Sequence, residues 1–153
     1  MNLEEKVMAG IKEAMKAKDE VRLRSLRAIK AGILLAKTSK GAHGEMDDKD
    51  EMAILQKMVK QRKDSLEIFR QQGREDLAVK EEEEINVINT FLPAQMDEAE
   101  LRQKLSEIIS RVGATGPADM GKVMGTATRE LAGKAEGRTI SELVKNLLSG
   151  PVQ

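Results

Sequence analysis

The sequence of 153 residues contains no cysteine, no tryptophan, no tyrosine and only two phenylalanines. Without cysteine the chain can form no disulfide, no thiolate metal site and no thiol nucleophile. With so few aromatics its core must consist of Leu, Ile, Val, Met and Ala, which favours helices because strands are enriched in aromatic and β-branched residues. No apolar run approaches the length of a membrane span, so we expect a soluble cytoplasmic protein with no membrane partner.

The charges balance over the whole chain but are unevenly distributed along it. The sequence holds 26 basic and 26 acidic side chains. Residues 1–40 carry ten basic against five acidic side chains, residues 81–107 carry two against eight, and residues 108–153 carry six against four. This distribution permits contact with nucleic acid without requiring it, since a dedicated nucleic-acid binder is usually basic overall.

Apolar residues recur at intervals of three and four along most of the chain, which is typical of amphipathic helices. No long segment alternates with the period of two that marks a strand, so we predict no sheet. The predicted helices cover about residues 3–18, 19–40, 48–73, 76–92, 98–113, 117–133 and 139–149. Asn2 can cap the first helix, and Asp47 or Asp48 can cap the third. Residues 41–48 are predicted to form a mobile connector.

The best candidate for a domain boundary lies at residues 93–96, where Pro93 stops the fourth helix. Asp97 and Glu100 then match a capping box in which Asp replaces the usual Ser or Thr, and Thr139 and Glu142 match a second capping box. We therefore predict an all-α, multihelical fold, with an N-terminal domain of about four helices at 1–93 and a small C-terminal three-helix domain at 97–153.

Four consecutive acids, residues 81–84, stand on the fourth predicted helix. We expect a solvated face, salt-bridged to the basic second helix. The alternative is a carboxylate metal site, but metal sites in helical bundles pair Glu with Glu-x-x-His, and the single histidine, His43, falls in the predicted connector. No metal is therefore expected. Two interpretations stay open for the basic side chains of the second helix: ordinary solvation and contact with phosphate. These side chains are Arg22, Arg24, Arg27, Lys30 and Lys37.

The sixth predicted helix is unusually rich in small residues. Four of them share one face, called here the glycine stripe: Gly121, Gly125, Thr128 and Ala132. The apolar face consists of Met120, Val123, Met124, Ala127 and Leu131. A glycine inside a helix costs about 1 kcal/mol relative to alanine, so a compensating gain is expected from close approach by another helix or a ligand backbone. Lys122 and Arg129 lie beside the stripe, and both interpretations, internal packing and ligand contact, stay open.

Residues 116–122 read G-x-x-x-x-G-K, which is most of a nucleotide-binding P-loop. The next residue of a P-loop should be Ser or Thr to hold magnesium, and here it is Val123. A P-loop should also follow a buried strand, whereas residues 101–112 have a helical pattern. The sequence therefore argues against a phosphate-binding loop, and we expect no cofactor.

With these residues in view, the chain resembles the GatB/YqeY family over essentially its whole length. The matching segments are KQRKDSLEIF (60–69), GREDLAVKEEEE (73–84), FLPAQM (91–96), DMGKVM (119–124), GKAEG (133–137) and SELVKNLL (141–148). The chain departs from the family pattern at Phe91, where the family more often has Tyr before Leu-Pro.

The resemblance implies an all-helical fold in two parts and a connection to tRNA. The family is related to the tail domain of the GatB component of the glutamine-dependent aspartyl/glutamyl-tRNA amidotransferase, in which the tail helps to hold the tRNA while other domains carry the chemistry. Related domains also occur fused to glutaminyl-tRNA synthetase as an added tRNA-binding piece. The family label of a carbon–nitrogen ligase with glutamine as amido donor is not carried over, because nothing in the chain resembles the amidase Ser-Ser-Lys site.

We therefore predict a non-catalytic tRNA-binding module, accessory to aminoacyl-tRNA synthesis or tRNA-dependent amidation, with an aminoacyl-tRNA synthetase or an amidotransferase component as a further partner. The predicted RNA-binding positions are Gly121, Lys122, Gly125, Arg129, Lys134, Arg138 and Lys145. Because aromatic stacking platforms are absent, shape and phosphate contacts should dominate. Two alternatives stay open: a protein–protein adaptor that uses the glycine stripe, and a glutamine-dependent ligase for which no catalytic residue can be assigned.

Overall fold

The computed structural model describes residues 1–40 and 46–149, and within these residues it contains seven α-helices, one 3₁₀ turn and no strand. The helices are α1 (Leu3–Ala17), α2 (Glu20–Lys40), α3 (Asp48–Gln71), α4 (Glu75–Asn89), α5 (Glu98–Val112), α6 (Met120–Glu130) and α7 (Gly137–Leu148), and the 3₁₀ turn is Pro117–Asp119. The prediction of an all-α, multihelical fold is confirmed.

The contacts divide the chain into two compact units, Met1–Pro93 and Ala94–Gln153. The N-terminal unit contains α1 to α4, and the C-terminal unit contains α5 to α7. Each unit has an apolar core of its own, built from Leu, Ile, Val, Met and Ala, which is the core composition that the shortage of aromatics requires.

In the N-terminal unit, α1 packs on α2, α3 packs on α4, and α2 joins the two pairs. Two glycines allow the helix axes to come close. A Cβ on Gly10 would lie 3.0 Å from Cδ1 of Leu26, and a Cβ on Gly32 would lie 3.2 Å from Sδ of Met58. The fully buried Leu26, Ile29 and Ile33 of α2 occupy the centre of this core.

Side chains cap the N-termini of α1 and α3. Asn2 and Glu5 form a reciprocal capping box at α1, in which the Glu5 N–H donates to Asn2 Oδ1 at 2.8 Å. Asp47 and Asp50 form the same arrangement at α3. The N-caps predicted for both helices are confirmed. Residues 41–45 of the predicted connector lie outside the described residues, whereas Asp48 already belongs to α3, so the connector prediction was wrong at that end.

In the C-terminal unit, Asp97 caps α5 and Gly113 ends it as predicted, but the bond from the Asp97 N–H to the Glu100 side chain that would complete the predicted capping box does not form. Asp97 accepts a hydrogen bond from the Glu100 N–H at 2.8 Å, and Gly113 ends the helix in the left-handed region with φ 72°. The predicted capping box at Thr139 is wrong. Helix α7 begins at Gly137, and Thr139 lies inside its first turn. Ala135 in the turn before α7 is buried in the core of the unit, so tertiary packing acts on this segment beside the local capping preference.

The four consecutive acids at residues 81–84 are not a fully solvated face. Only Glu82 is exposed, and its carboxylate pairs with Arg70. The predicted salt bridges to the second helix are confirmed: Arg24 lies 3.4 Å from Glu83 and 3.7 Å from Glu84. Burial, followed by repulsion from Glu84, raises the pKa of Glu81 above its ordinary value, although nearby arginines oppose this.

Candidate nucleic-acid interface

The predicted RNA-binding residues all lie in the C-terminal unit, on α6, α7 and the turn between them. The inner faces of these helices pack on α5 and supply most of the unit's core. The buried residues of α6, the turn and α7 are Val123, Ala127, Leu131, Ala135, Ile140, Leu143, Val144 and Leu148. Since these positions fix the rotation of each helix, the basic side chains between them must point away from the core.

Gly121, Gly125 and Thr128 of the glycine stripe lie on the outer surface of α6, and Ala132 lies in the turn that follows, because α6 ends at Glu130 and not near residue 133 as predicted. All four residues of the stripe are exposed. A Cβ added at Gly121 or Gly125 would meet no described atom within 4 Å. The interpretation that the stripe packs against another helix of this chain is therefore wrong for the described residues, and the stripe is open on the surface.

Arg129 is held beside this stripe by its own helix. Its Nε donates to the Gly125 carbonyl oxygen at 3.2 Å, one turn earlier. The side chain therefore runs back along α6 toward Gly125, where no side chain obstructs it. The structure thus brings Gly121, Gly125 and Arg129 together, because residues four apart lie on one face of a helix.

Lys122 lies in the first turn of α6. The turn before this helix, residues 115–119, is held by hydrogen bonds of Asp119. Asp119 Oδ2 accepts a hydrogen bond from the Thr115 N–H at 2.9 Å, and its own N–H donates to the Gly116 carbonyl at 2.9 Å. The hydrogen bond from the Thr115 N–H to the carboxylate lowers the pKa of Asp119 most, and the Gly116 backbone, the Thr115 hydroxyl and the charge of Lys122 lower it further, against the opposing effect of desolvation. The segment follows helix α5 rather than a strand, so it does not have the architecture of a P-loop.

Lys134 lies on the turn between α6 and α7. Two hydrogen bonds from residues 95 and 96, near the start of the C-terminal unit, hold this turn. The Met96 N–H donates to the Lys134 carbonyl at 2.9 Å. Gln95 Nε2 donates to the Gly133 carbonyl at 2.7 Å. Two segments that carry the family resemblance, FLPAQM and GKAEG, therefore meet here. Sequence reasoning missed the roles of Gln95 and Met96, because no spacing rule connects residues 38 positions apart.

Arg138 and Lys145 form a second basic row, on α7. They are seven residues apart, both are exposed, and the buried side of the helix lies opposite them. The seven predicted positions thus fall into three groups: the stripe with Lys122 and Arg129, the turn with Lys134, and the α7 row. Every one of them is exposed.

Several other cations of the C-terminal unit are already paired with acids. Arg111 makes a two-point contact with Glu130 at 2.7 Å for each nitrogen, Arg102 pairs with Glu98, and Lys104 pairs with Glu107. Lys122 and Lys145 take part in none of these salt bridges. The positive charge that is available to a ligand is therefore concentrated on α6 and α7 rather than on α5.

The second helix is a weaker candidate for phosphate contact. Arg24 is engaged with Glu83 and Glu84, and Lys37 pairs with Glu4 of α1. Arg27 is exposed on the same helix. Internal salt bridges therefore engage part of the basic face that the sequence suggested, so fewer of its cations are available to phosphate.

Membrane spans and metal clusters are both absent from the part of the chain that the structure describes. None of the described helices is both long and apolar enough to cross a membrane. Among the same residues, no group of three or more His, Asp or Glu side chains is arranged to hold a metal ion.

The fold and the surface define a two-unit, all-helical protein whose C-terminal three-helix unit presents exposed cations beside a bare glycine stripe. Comparison with known families gives the class: the Yqey-like protein family matches residues 4–148. The chain belongs to this family, and the resemblance seen in the sequence is confirmed.

Individual relatives are identical to the chain at about a third of the aligned residues. A protein of Lachancea thermotolerans named Altered inheritance of mitochondria protein 41, mitochondrial, is 34% identical over 114 residues, which are 71% of this chain and 58% of the relative. The protein of the same name from Pyrenophora tritici-repentis is 30% identical, over 85% of this chain and 71% of the relative. An uncharacterized protein of Schizosaccharomyces pombe is 32% identical, over 60% of this chain and 73% of the relative. The names of the first two relatives place those proteins in mitochondria and mention no substrate.

Proposed function

We propose that the chain is a non-catalytic tRNA-binding module, accessory to aminoacyl-tRNA synthesis or tRNA-dependent amidation. The observation that carries the proposal is the open glycine stripe of α6, which has exposed Lys122 and Arg129 beside it and no described atom above Gly121 or Gly125. In this proposal α6, the turn at Lys134 and α7 contact the RNA.

The chemistry of the surface suits a phosphate backbone. Without side chains at Gly121 and Gly125, a sugar–phosphate strand can approach the helix closely. Exposed cations contribute through the release of counterions from the nucleic acid, which makes binding depend on salt. Folded RNA is recognised largely through its shape and through phosphate and 2′-hydroxyl contacts. A surface rich in cations and lacking aromatics matches that mode.

The double variant Lys122→Ala/Arg129→Ala tests the proposed contact. We expect weaker tRNA binding, with the slope of log K against log salt lower by about 2 if both cations touch phosphate. The fold should survive because both side chains are exposed and the buried Val123 and Ala127 are unchanged. Filter binding or gel shift of tRNA at several salt concentrations measures both quantities.

The α5 variant Arg102→Ala/Lys104→Ala is the matched control for this test. It also removes two cations from the same unit, but both are paired with acids, so the salt slope should change little. Gly125→Leu separates shape from charge, because it fills the stripe without changing any charge. It should weaken binding while leaving the salt slope near that of the parent. A folded double variant that binds tRNA as tightly as the parent would contradict the proposed site.

The same open stripe keeps a protein–protein adaptor as the second candidate. An exposed strip of small residues accepts a partner helix as readily as a nucleic acid. Absence of salt-sensitive tRNA binding by the parent, together with capture of a synthetase or amidotransferase component that Gly125→Leu abolishes, would favour the adaptor. For the third candidate, the glutamine-dependent carbon–nitrogen ligase, we expect purified protein to release no glutamate from glutamine with or without ATP.

The compartment is also part of the proposal. We propose a cytoplasmic location for this chain, whereas the names of the Lachancea and Pyrenophora relatives place those proteins in mitochondria. Both compartments contain tRNA, so the proposed function is compatible with either location. Fractionation of cells that express a tagged chain at its natural level tests the assignment.

A further inference from the structure

The N-terminal unit contains a groove of about 650 Å³ that the proposed RNA contact does not use. It lies between the first turns of α1, the first turn of α3 and residues 90–93, which follow α4. Helix α1 packs mainly on α2, and a hydrogen bond from the Leu3 N–H to Glu51 Oε2 at 2.7 Å joins the start of α1 to α3 at the wall of the groove. Its volume falls within the range of about 300–1,000 Å³ that is usual for small-molecule sites.

One wall of the groove is apolar and contains an aromatic ring. Phe91, Leu92 and Met52 line it, and all three are only partly buried. Phe91 packs against the core of the unit, so the ring is supported on the core side while it remains accessible from the groove. From the composition we expected no stacking platform. The tertiary structure supplies one by placing one of the two phenylalanines at this edge.

The polar side chains of the groove are two cations, two carboxylates and a hydroxyl, of which Glu51 accepts a hydrogen bond from the Leu3 N–H and Thr90 donates one to the Val87 carbonyl. Lys6, Arg22 and Asp48 also line the groove, and their side chains make no hydrogen bond or salt bridge with the described part of the chain. Arg22 reaches α1 beside Gly10, since a Cβ on that glycine would lie 3.9 Å from its Nη2. Unpaired charges of both signs beside an aromatic wall favour a ligand that carries an anion, hydroxyl groups and a planar ring.

We infer that this groove binds a nucleotide, with its base against Phe91, its phosphate at Lys6 and Arg22, and its ribose hydroxyls donating to Asp48. A simple phosphate would leave the apolar wall unused, and a fatty acid would leave Asp48 unpaired. The nucleotide can be a free mononucleotide or the unpaired end of an RNA strand, since both present the same groups. This inference does not depend on the RNA contact proposed for α6 and α7.

Titration of the ¹⁵N-labelled full chain with AMP, followed by NMR, tests the inference. The amides near Lys6, Asp48, Met52 and Phe91 should shift with AMP, while those of α6 and α7 should not. Ribose 5-phosphate should bind on the order of ten times more weakly, because it lacks the base that stacks on the ring. Inorganic phosphate should be weaker still. Equal binding of phosphate and AMP, or shifts outside the groove, would overturn the inference.

Variants with matched controls locate the site. Lys6→Gln and Arg22→Gln should each weaken AMP binding on the order of tenfold, as expected for a lost charge-assisted hydrogen bond. Lys12→Gln on α1 and Arg27→Gln on α2 remove exposed cations of the same helices outside the groove, and should have no effect. Phe91→Leu should weaken AMP but not ribose 5-phosphate, and Phe91→Tyr, which keeps the ring, should bind AMP like the parent. Equal weakening by the control variants would contradict the site.

Two RNA probes distinguish the sources of the nucleotide. They are a hairpin with an unpaired 3′-terminal adenosine and the same hairpin with a blunt end. If the natural ligand is an RNA end, the first hairpin should bind tighter than the blunt one, and Phe91→Leu should remove the difference. If the natural ligand is a free nucleotide, AMP should bind and the two hairpins should not differ.

The double variant Lys122→Ala/Arg129→Ala should leave AMP binding intact. Failure of the RNA contact proposed for α6 can therefore be distinguished from failure of the nucleotide site in the groove. Binding of neither AMP nor the overhanging hairpin at the groove would refute it.

Discussion

Glycine residues of this chain have opposite roles according to what lies beside them. Gly125 is exposed within α6 and has open space where a Cβ would stand, whereas a Cβ on Gly10 would press on the fully buried Leu26. Gly125→Ala should therefore raise the free energy of unfolding by up to about 1 kcal/mol through helix propensity. Gly10→Ala should lower it, since overpacking of about 1–3 kcal/mol exceeds that gain. Urea denaturation of both variants checks the signs, and stabilisation by both would contradict the packing argument.

The acids of the C-terminal unit make its stability depend on pH. The hydrogen bond from the Thr115 N–H lowers the pKa of Asp119 below its ordinary 3.8, and the contact with Arg111 lowers that of Glu130 below its ordinary 4.5. A carboxyl with a lowered pKa in the folded state stabilises the fold while ionised. Its contribution is present above the pKa of the unfolded chain and is lost as pH falls through the folded value.

Asp119→Asn should therefore remove part of the acid-induced loss of stability. We expect the difference in urea midpoint between pH 6 and pH 3 to be smaller in this variant than in the parent, with the variant less stable at pH 6. The exposed Glu142 takes no part in these contacts, so Glu142→Gln serves as the control. A variant with the same pH dependence as the parent would show that the turn at Asp119 does not contribute.

At the scale of the helices, a partly buried ion-pair network joins α2, α3 and α4. Glu84 contacts Arg24 and Arg62, and the side chains of Glu84 and Arg62 are only 15% and 18% exposed. The Nε atoms of both arginines are buried without a hydrogen-bond partner; Glu84 is the acidic partner of Arg62, whereas Arg24 is shared between Glu83 and Glu84. These ion pairs accompany the partial burial of Glu83 and Glu84, at positions where the sequence suggested a solvated face.

Glu84→Gln should destabilise the N-terminal unit by about 1–3 kcal/mol, between the values of surface and fully buried pairs, because it removes the acidic partner of the largely buried Arg62, while Arg24 keeps its pair with Glu83. Glu82→Gln breaks a pair whose partners are both about half exposed, and should lose less than about 1 kcal/mol. Thermal denaturation monitored by circular dichroism compares the two variants. Equal losses would mean that burial does not decide the strength of these pairs.

At the scale of the whole molecule, the two units have separate cores. We expect fragments 1–93 and 94–153 to fold independently, because the buried side chains of each core all come from the same unit. Each fragment should give a cooperative thermal transition and a helical circular dichroism spectrum. A fragment that is unfolded alone but folds when the other is added would show that the units depend on each other for stability.

The architecture could be predicted from the sequence because local signals act over a few residues. Asn2, Asp47 and Asp97 cap helices as their positions predicted, and Gly113 ends α5 in the left-handed conformation that glycine adopts most readily. The capping box at Thr139 failed because α7 already begins at Gly137, next to the buried Ala135 of the preceding turn, so that Thr139 lies inside the helix.

For the candidate site, the sequence by itself determined that α6 and α7 are amphipathic, with their cations opposite the apolar face, because helical periodicity alone sets which residues share a face. Only the tertiary structure decided that the glycine stripe is open, that Gln95 and Met96 hold the turn at Lys134, and that Arg24 is engaged in an internal pair. These facts join residues far apart in the chain. No periodicity encodes such contacts, since they depend on which helices pack together and at what distance.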